Sequence, residues 1–175
     1  NMNIVPSNFV KEIFQKVTYE EVNEQTKQKT GELRLTSPIE VLFEGADVNI
    51  YKKTKDISDD LKAEMDNIEE RFVFLYTGHW LQGDLGQDRK NVGLLVKSFL
   101  ETFKNKQQQP ALIMKTSGGV ISYMDKNKIL RKISDIKKTV RGKLPKIYLV
   151  HGDLLQEEMN ELYNHPKVKC MVNIT

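Results

Sequence analysis

RFVFLYTGHWLQGDLGQDRKN, residues 71–91, is the stretch whose reading decides the fold of this chain. Residues 72–76 form a short apolar run. A long loop follows, carrying Gly78, Gly83 and Gly86, and it ends in Asp88-Arg89-Lys90-Asn91. An amphipathic helix begins there. Strand, glycine loop, basic pair and helix start are the layout of an anion-binding crossover in an α/β protein.

Working downstream, the same alternation continues. Val92, Leu95, Val96, Phe99, Leu100 and Phe103 recur at helical spacing and predict a helix over 90–104. Pro110 punctuates, and 111–114 reads as a strand that leads into the loop Lys115-Thr116-Ser117-Gly118-Gly119. Ile129, Ile133, Ile136 and Val140 predict a helix over 124–140, ended by Gly142 and Pro145. A strand at 146–150 runs into His151-Gly152-Asp153, with Asp153 as the expected N-cap of a helix over 154–163. Pro166 breaks that helix, and 169–174 reads as another strand. Short continuous apolar strands alternating with amphipathic helices predict an α/β fold: a parallel, Rossmann-like sheet with helices on both faces.

Upstream, the pattern is less regular. Pro6-Ser7 reads as a helix start, with Ser7 as N-cap and Val10, Ile13, Phe14 and Val17 on one face. Residues 18–36 are polar and weakly periodic, with a turn expected at Thr30-Gly31. A short strand follows Pro38 at 39–43, and Ser58 is the expected cap of a helix with Leu61, Met65 and Ile68 inward. The expected division is therefore 1–70, a helix and strand linker segment, and 71–175, the Rossmann-like domain.

Composition is that of an ordinary globular protein, with 39% apolar and 29% charged residues among 175. No run approaches the roughly 18 apolar residues of a membrane span. Residues 2–5 run straight into Pro6-Ser7 without a signal-peptide pattern. Cys170 is the only cysteine, which excludes a disulfide framework. A reducing, cytoplasmic location is the expectation. The net charge of +3 implies no nucleic-acid partner by itself. Residues 124–146 carry nine bases against two acids, but they lack interleaved aromatics and read as the solvated face of a helix.

In an open parallel sheet, ligands bind beyond the carboxyl ends of the strands. Those ends here are the glycine-rich and polar stretches 77–90, 115–119 and 151–153. Glycines admit close backbone approach, and each following helix directs its positive end at the same crevice. Arg89, Lys90 and Lys115 add full charges, so a phosphate or diphosphate is the physical match. The same loops read equally as the turns that any parallel sheet needs. His151 reads first as a loop histidine, and Trp80 as either a stacking group or an anchor for its loop. The chain has no GxxxxGK[ST] or GxGxxG motif and no clustered Cys/His site, and its three histidines are scattered, so no metal is expected.

The order of these features resembles the retaining glycosyltransferases of GT-B architecture, the group 1, family 4-like enzymes that take sugar from a nucleotide-sugar donor. IVPSNFVKEIF resembles the strand-to-helix element near the end of that family's first domain. IEVLFEGADVNIY resembles its interdomain segment. FVFLYTGHW with DRKNVGLLVKSF resembles the opening strand, loop and helix of its donor-binding domain, and KIYLVHGDLLQEEMNELYNHPKVKCMVNIT a later helix and strand. The resemblance covers nearly the whole chain.

It implies binding of a UDP- or GDP-sugar with no metal or other cofactor required. Lys90 matches the diphosphate-holding lysine. The family's arginine after the first strand is replaced, because His79 follows Gly78, and Arg89 is the candidate substitute. Lys115 and Thr116 match a strand end facing the donor. His151, Gly152, Asp153 and Leu154 match the loop beside the base. The family's glycine-rich loop and paired glutamates would follow Thr175, so the chain reads as a truncated, inactive donor-binding fragment with no catalytic residue of its own. The alternative reading is a non-catalytic α/β interaction module that forms a homodimer through exposed edges.

Overall fold

The computed structural model describes residues 2–83 and 85–174. It divides into two compact units, Asn1–Asp47 and Val48–Thr175.

The first unit contains β1 (Asn3–Val5), α1 (Asn8–Lys16), β2 (Thr18–Val22), β3 (Lys29–Arg34) and β4 (Ile39–Val41). β1 and β4 pair in parallel, with Val5 opposite Val41. Ser7 caps α1 as expected, accepting a 3.2 Å hydrogen bond from the Val10 N–H. The polar stretch after α1 is an antiparallel hairpin, β2 with β3. Thr30 and Gly31, expected as a turn, lie inside β3. The turn sits instead at Asn23, whose Oδ1 accepts from the Gln25 and Thr26 N–H groups. Nearly every residue of both strands is exposed. With neither face buried, the sequence has no need to alternate apolar with polar, and the usual strand signal is missing.

The second unit contains α2 (Asp59–Asp66), β5 (Val73–Thr77), α3 (Val92–Phe103), β6 (Ala111–Lys115), α4 (Tyr123–Thr139), β7 (Ile147–Val150), α5 (Gln156–Asn164) and β8 (Val168–Met171). Its four strands pair in the order β7-β6-β5-β8, all parallel. The chain therefore steps outward from β5 to β7 and then returns to lay β8 on the other side of β5. This reversal is the topological switch of a doubly wound sheet.

Side chains alternate between the two faces along each strand. Tyr76, Leu112 and Met114 pack with Leu95, Val96 and Leu100 of α3 and with Ile129, Ile133 and Ile136 of α4. Val73, Leu75, Ala111 and Ile113 pack on the opposite face with Leu162 of α5 and with Met65 and Ile68. Full burial of a side chain such as Leu100 or Ile113 contributes about 1.5–3 kcal/mol. The expected parallel sheet with helices on both faces is what forms.

Residues 48–70, read from sequence as a linker, pack with the sheet rather than apart from it. Met65 and Ile68 supply apolar contact, and Lys167 Nζ donates to the Met65 and Ile68 carbonyls, both at 2.7 Å. The irregular approach to α2 is clamped by α5. Asn160 and Asn164 accept from the Lys52 and Thr54 N–H groups, and Glu161 accepts from Ser58 N–H and Oγ–H. Ser58 precedes α2 as expected, but its hydroxyl is spent on Glu161 and makes no cap bond.

Asp153 does not cap α5, which begins two residues later than predicted. The cap position is Leu155, whose N–H donates at 2.6 Å to the Glu158 carboxylate. Glu158, in the first turn, reaches back to satisfy the N–H of the cap residue instead.

Candidate anion-binding crevice

Beyond the carboxyl end of β5, Gly78 adopts φ +149, a conformation that L side chains rarely take. A Cβ there would stand 2.9 Å from the Tyr76 hydroxyl and 3.5 Å from Lys90 Nζ. The missing side chain thus leaves room for both groups. Gly78 N–H donates to the Lys115 carbonyl at 3.1 Å, extending the β5–β6 ladder into the loop. Trp80 then anchors the loop. Its N–H donates to the Ser117 carbonyl at 2.8 Å, and its ring is 3% exposed, with Lys132 Nζ 5.1 Å from the centroid. Of the two readings of Trp80, the structure favours the anchor.

The α3 end of the crossover differs from a free anion site. Asp88, only 3% exposed, turns its carboxylate onto the helix N-terminus. Oδ1 accepts from Val92 N–H at 2.7 Å and Oδ2 from Gly93 N–H at 3.2 Å. The Asn91 N–H closes the turn onto the Asp88 carbonyl, and Asn91 itself is left-handed at φ 49. The protein's own carboxylate therefore occupies the place where an external anion would meet the first N–H groups of α3. Sequence reading singled out the basic pair and passed over Asp88. Its signal was present, since an acid just ahead of an apolar helical run is a helix-start residue.

Arg89 is exposed and Lys90 half-buried. Neither has a hydrogen-bond or ion-pair partner among the described residues. Lys90 stands beside Gly78. Burial, followed by the Asp88 charge, raises the Tyr76 phenol above its usual range, and the Arg89 charge acts in the opposite sense. These groups form one cluster at the switch point of the sheet.

The remaining predicted residues assemble around the ends of β6 and β7. Lys115 Nζ donates to the Gly152 carbonyl at 2.6 Å, tying the two loops together. Thr116 is 2% exposed, so its hydroxyl does not face the open crevice. His151 Nε2 donates to Asp125 Oδ2 at 2.9 Å, and the same oxygen accepts from Gly118 N–H at 2.8 Å. Burial would raise the Asp125 carboxyl, but the Gly118 N–H, the His151 hydrogen bond and the His151 and Lys128 charges outweigh it. The carboxyl is held below its usual range. Gly152 carries φ +124, and Asp153 is exposed. Leu154 packs with the apolar cluster on the α5 face. Sequence reading did not pair His151 with Asp125, because the two are 26 residues apart and meet only through the sheet.

A cleft of about 600 Å³ lies beside these loops, lined by Trp80, Gly83, Gly118, Ser122, Asp125, Lys128 and Lys132 among others. Lys90, Lys115 and His151 do not line it. A groove of about 900 Å³ around Phe72, Phe103 and Pro110 lies at the amino ends of the strands. The N-termini of α3, α4 and α5 lie at the other end, beyond the carboxyl ends of the strands, where ligands bind an open parallel sheet. Among the described residues, no group of three or more His, Cys, Asp or Glu side chains is placed to hold a metal ion. No described helix is long and apolar enough to cross a membrane. Comparison with protein-family models, curated proteins and solved structures finds no match for this chain.

Proposed function

We propose that the second unit binds the diphosphate of a nucleotide sugar, UDP- or GDP-linked, as the donor-binding part of a retaining GT-B-type glycosyltransferase that needs no metal. The observation that carries this reading is Lys90. Its ammonium stands without a partner among the described residues beside the left-handed Gly78 turn, at the carboxyl end of the strand where the sheet order reverses. A lysine in that position is a point charge ready for phosphate. Arg89 adds a second charge, while Lys115 serves the reading mainly by holding the Gly152 loop. Asp88 limits it, since α3 offers its first N–H groups to that carboxylate and not to the ligand. The diphosphate would then rest on side-chain cations and the Gly78 turn. In this reading the second unit supplies binding and orientation of the donor.

Calorimetric titration of UDP-glucose and GDP-mannose into the chain, with Lys90→Ala alongside, tests the reading. Loss of one charge-assisted contact should weaken binding about tenfold or more. Absence of binding by the wild type, or equal binding by Lys90→Ala, would sink it.

A second reading has its own observation. Among the described residues β8 pairs only with β5, and Cys170 and Met171 on it are exposed. An uncovered edge of this kind favours self-association, as expected of a homodimeric interaction module. Sedimentation across a concentration series decides that point. A monomer at all concentrations would remove it.

A further inference from the structure

Two buried side-chain oxygens have no hydrogen-bond partner among the described residues: the Tyr76 hydroxyl and Thr116 Oγ1. Tyr76 is 1% exposed. An unsatisfied buried hydroxyl destabilises a fold and calls for a reason. For Tyr76 the surroundings supply one. The Cβ position of Gly78 is 2.9 Å from the hydroxyl and 3.5 Å from Lys90 Nζ. Lys90 has three donors and no acceptor. The Asp88 carboxylate is engaged by the Val92 and Gly93 N–H groups. The Tyr76 hydroxyl and the Lys90 ammonium thus both stand at Gly78, and neither has a hydrogen-bond or ion-pair partner among the described residues. What the cluster lacks is an external group rich in acceptor oxygens.

We propose that Tyr76 is a ligand-contacting residue of this crevice, its hydroxyl donating to a phosphate oxygen of the bound diphosphate. The proposal rests on the nucleotide-sugar reading above and adds a second donor to it. Lys90, half-buried on a flexible stem, stands over Gly78 next to the hydroxyl. An arriving diphosphate draws the ammonium outward and reaches the phenol across a residue with no side chain to obstruct it. The hydroxyl is unsatisfied in the empty protein and satisfied in the complex, so its cost to the empty fold becomes selectivity for the ligand.

The test uses the full chain, inorganic pyrophosphate and UDP as probes, and the variants Tyr76→Phe and Lys90→Ala. Affinity is read by calorimetry and unliganded stability by the thermal midpoint. Tyr76→Phe should bind pyrophosphate about tenfold more weakly. Its unliganded midpoint should be unchanged or higher, because the lost oxygen had no partner. Wild-type affinity in Tyr76→Phe together with weakened binding in Lys90→Ala overturns the role of Tyr76 and leaves the donor-site reading standing. A lowered unliganded midpoint in Tyr76→Phe also overturns it, by showing that the hydroxyl serves the fold. No binding of either probe by the wild type overturns both.

Discussion

Replacing Asp88 by alanine separates a helix-capping role from an anion-site role at the start of α3. In the native chain this carboxylate is buried and accepts two N–H bonds, at 2.7 and 3.2 Å. Truncation leaves the Val92 and Gly93 N–H groups without acceptors. A buried donor stranded in this way costs about 1–3 kcal/mol, and a lost cap alone about 0.5–2 kcal/mol. Water entering the vacated space recovers part of that. A net loss of about 3 kcal/mol is the expected result for Asp88→Ala. At about 2–4 °C per kcal/mol for a chain of this size, the midpoint falls by about 6–12 °C. Asp88→Asn keeps one acceptor oxygen and should lose roughly half as much. The assay is thermal and urea unfolding followed by fluorescence of Trp80, the only tryptophan, which anchors the same loop. Added phosphate should raise the midpoint of Asp88→Ala more than that of the wild type, since the freed helix end then accepts an external anion. A midpoint within about 2 °C of wild type would refute the capping argument.

Gly78→Ala should destabilise through both its φ of +149 and the approach to the Tyr76 hydroxyl, by about 1–3 kcal/mol. Adding Tyr76→Phe should recover the steric part only, which a double-mutant cycle in urea resolves. Asp125 is held below its usual carboxyl pKa, so its stabilising contribution is present above about pH 3.8 and is lost as pH falls through the lower folded value. Asp125→Asn should therefore be less stable than wild type at pH 7, with the gap closing under acid; a constant gap across pH would contradict this. His165 is buried, and burial followed by the Lys167 charge lowers its pKa from 6.5, against the opposing Asp66 charge. The unfolded chain takes up that proton first, so stability is unaffected above about pH 6.5 and falls as pH drops from there towards the folded value. His165→Gln should flatten urea midpoints measured between pH 7.5 and 5, relative to wild type.

The alternating part of the fold was legible because each of its elements buries one face. Val92 to Phe103 repeats at helical spacing since α3 lies on the sheet, and 73–76 is continuously apolar since β5 is covered from both sides. The β2–β3 hairpin was illegible for the converse reason. A strand pair exposed on both faces imposes no pattern on its residues. The packing of 48–70 on the sheet was hidden in the same way. Its approach to α2 is held by backbone hydrogen bonds to Asn160 and Asn164, which leave no mark on the sequence of the strap.

The sequence by itself determined the order of the elements, the parallel sheet and the loops in which cationic and glycine residues gather. It determined these because local periodicity and turn chemistry act between near neighbours along the chain. Only the tertiary structure decided which groups at the carboxyl ends are free. It spends Asp88 on the start of α3, Lys115 on the Gly152 carbonyl and His151 on Asp125, and it leaves Lys90 and the Tyr76 hydroxyl beside Gly78 without a partner among the described residues. Side-chain pairing across a sheet depends on strand order and register, and both are set by the collapse of the whole core rather than by any one stretch of residues.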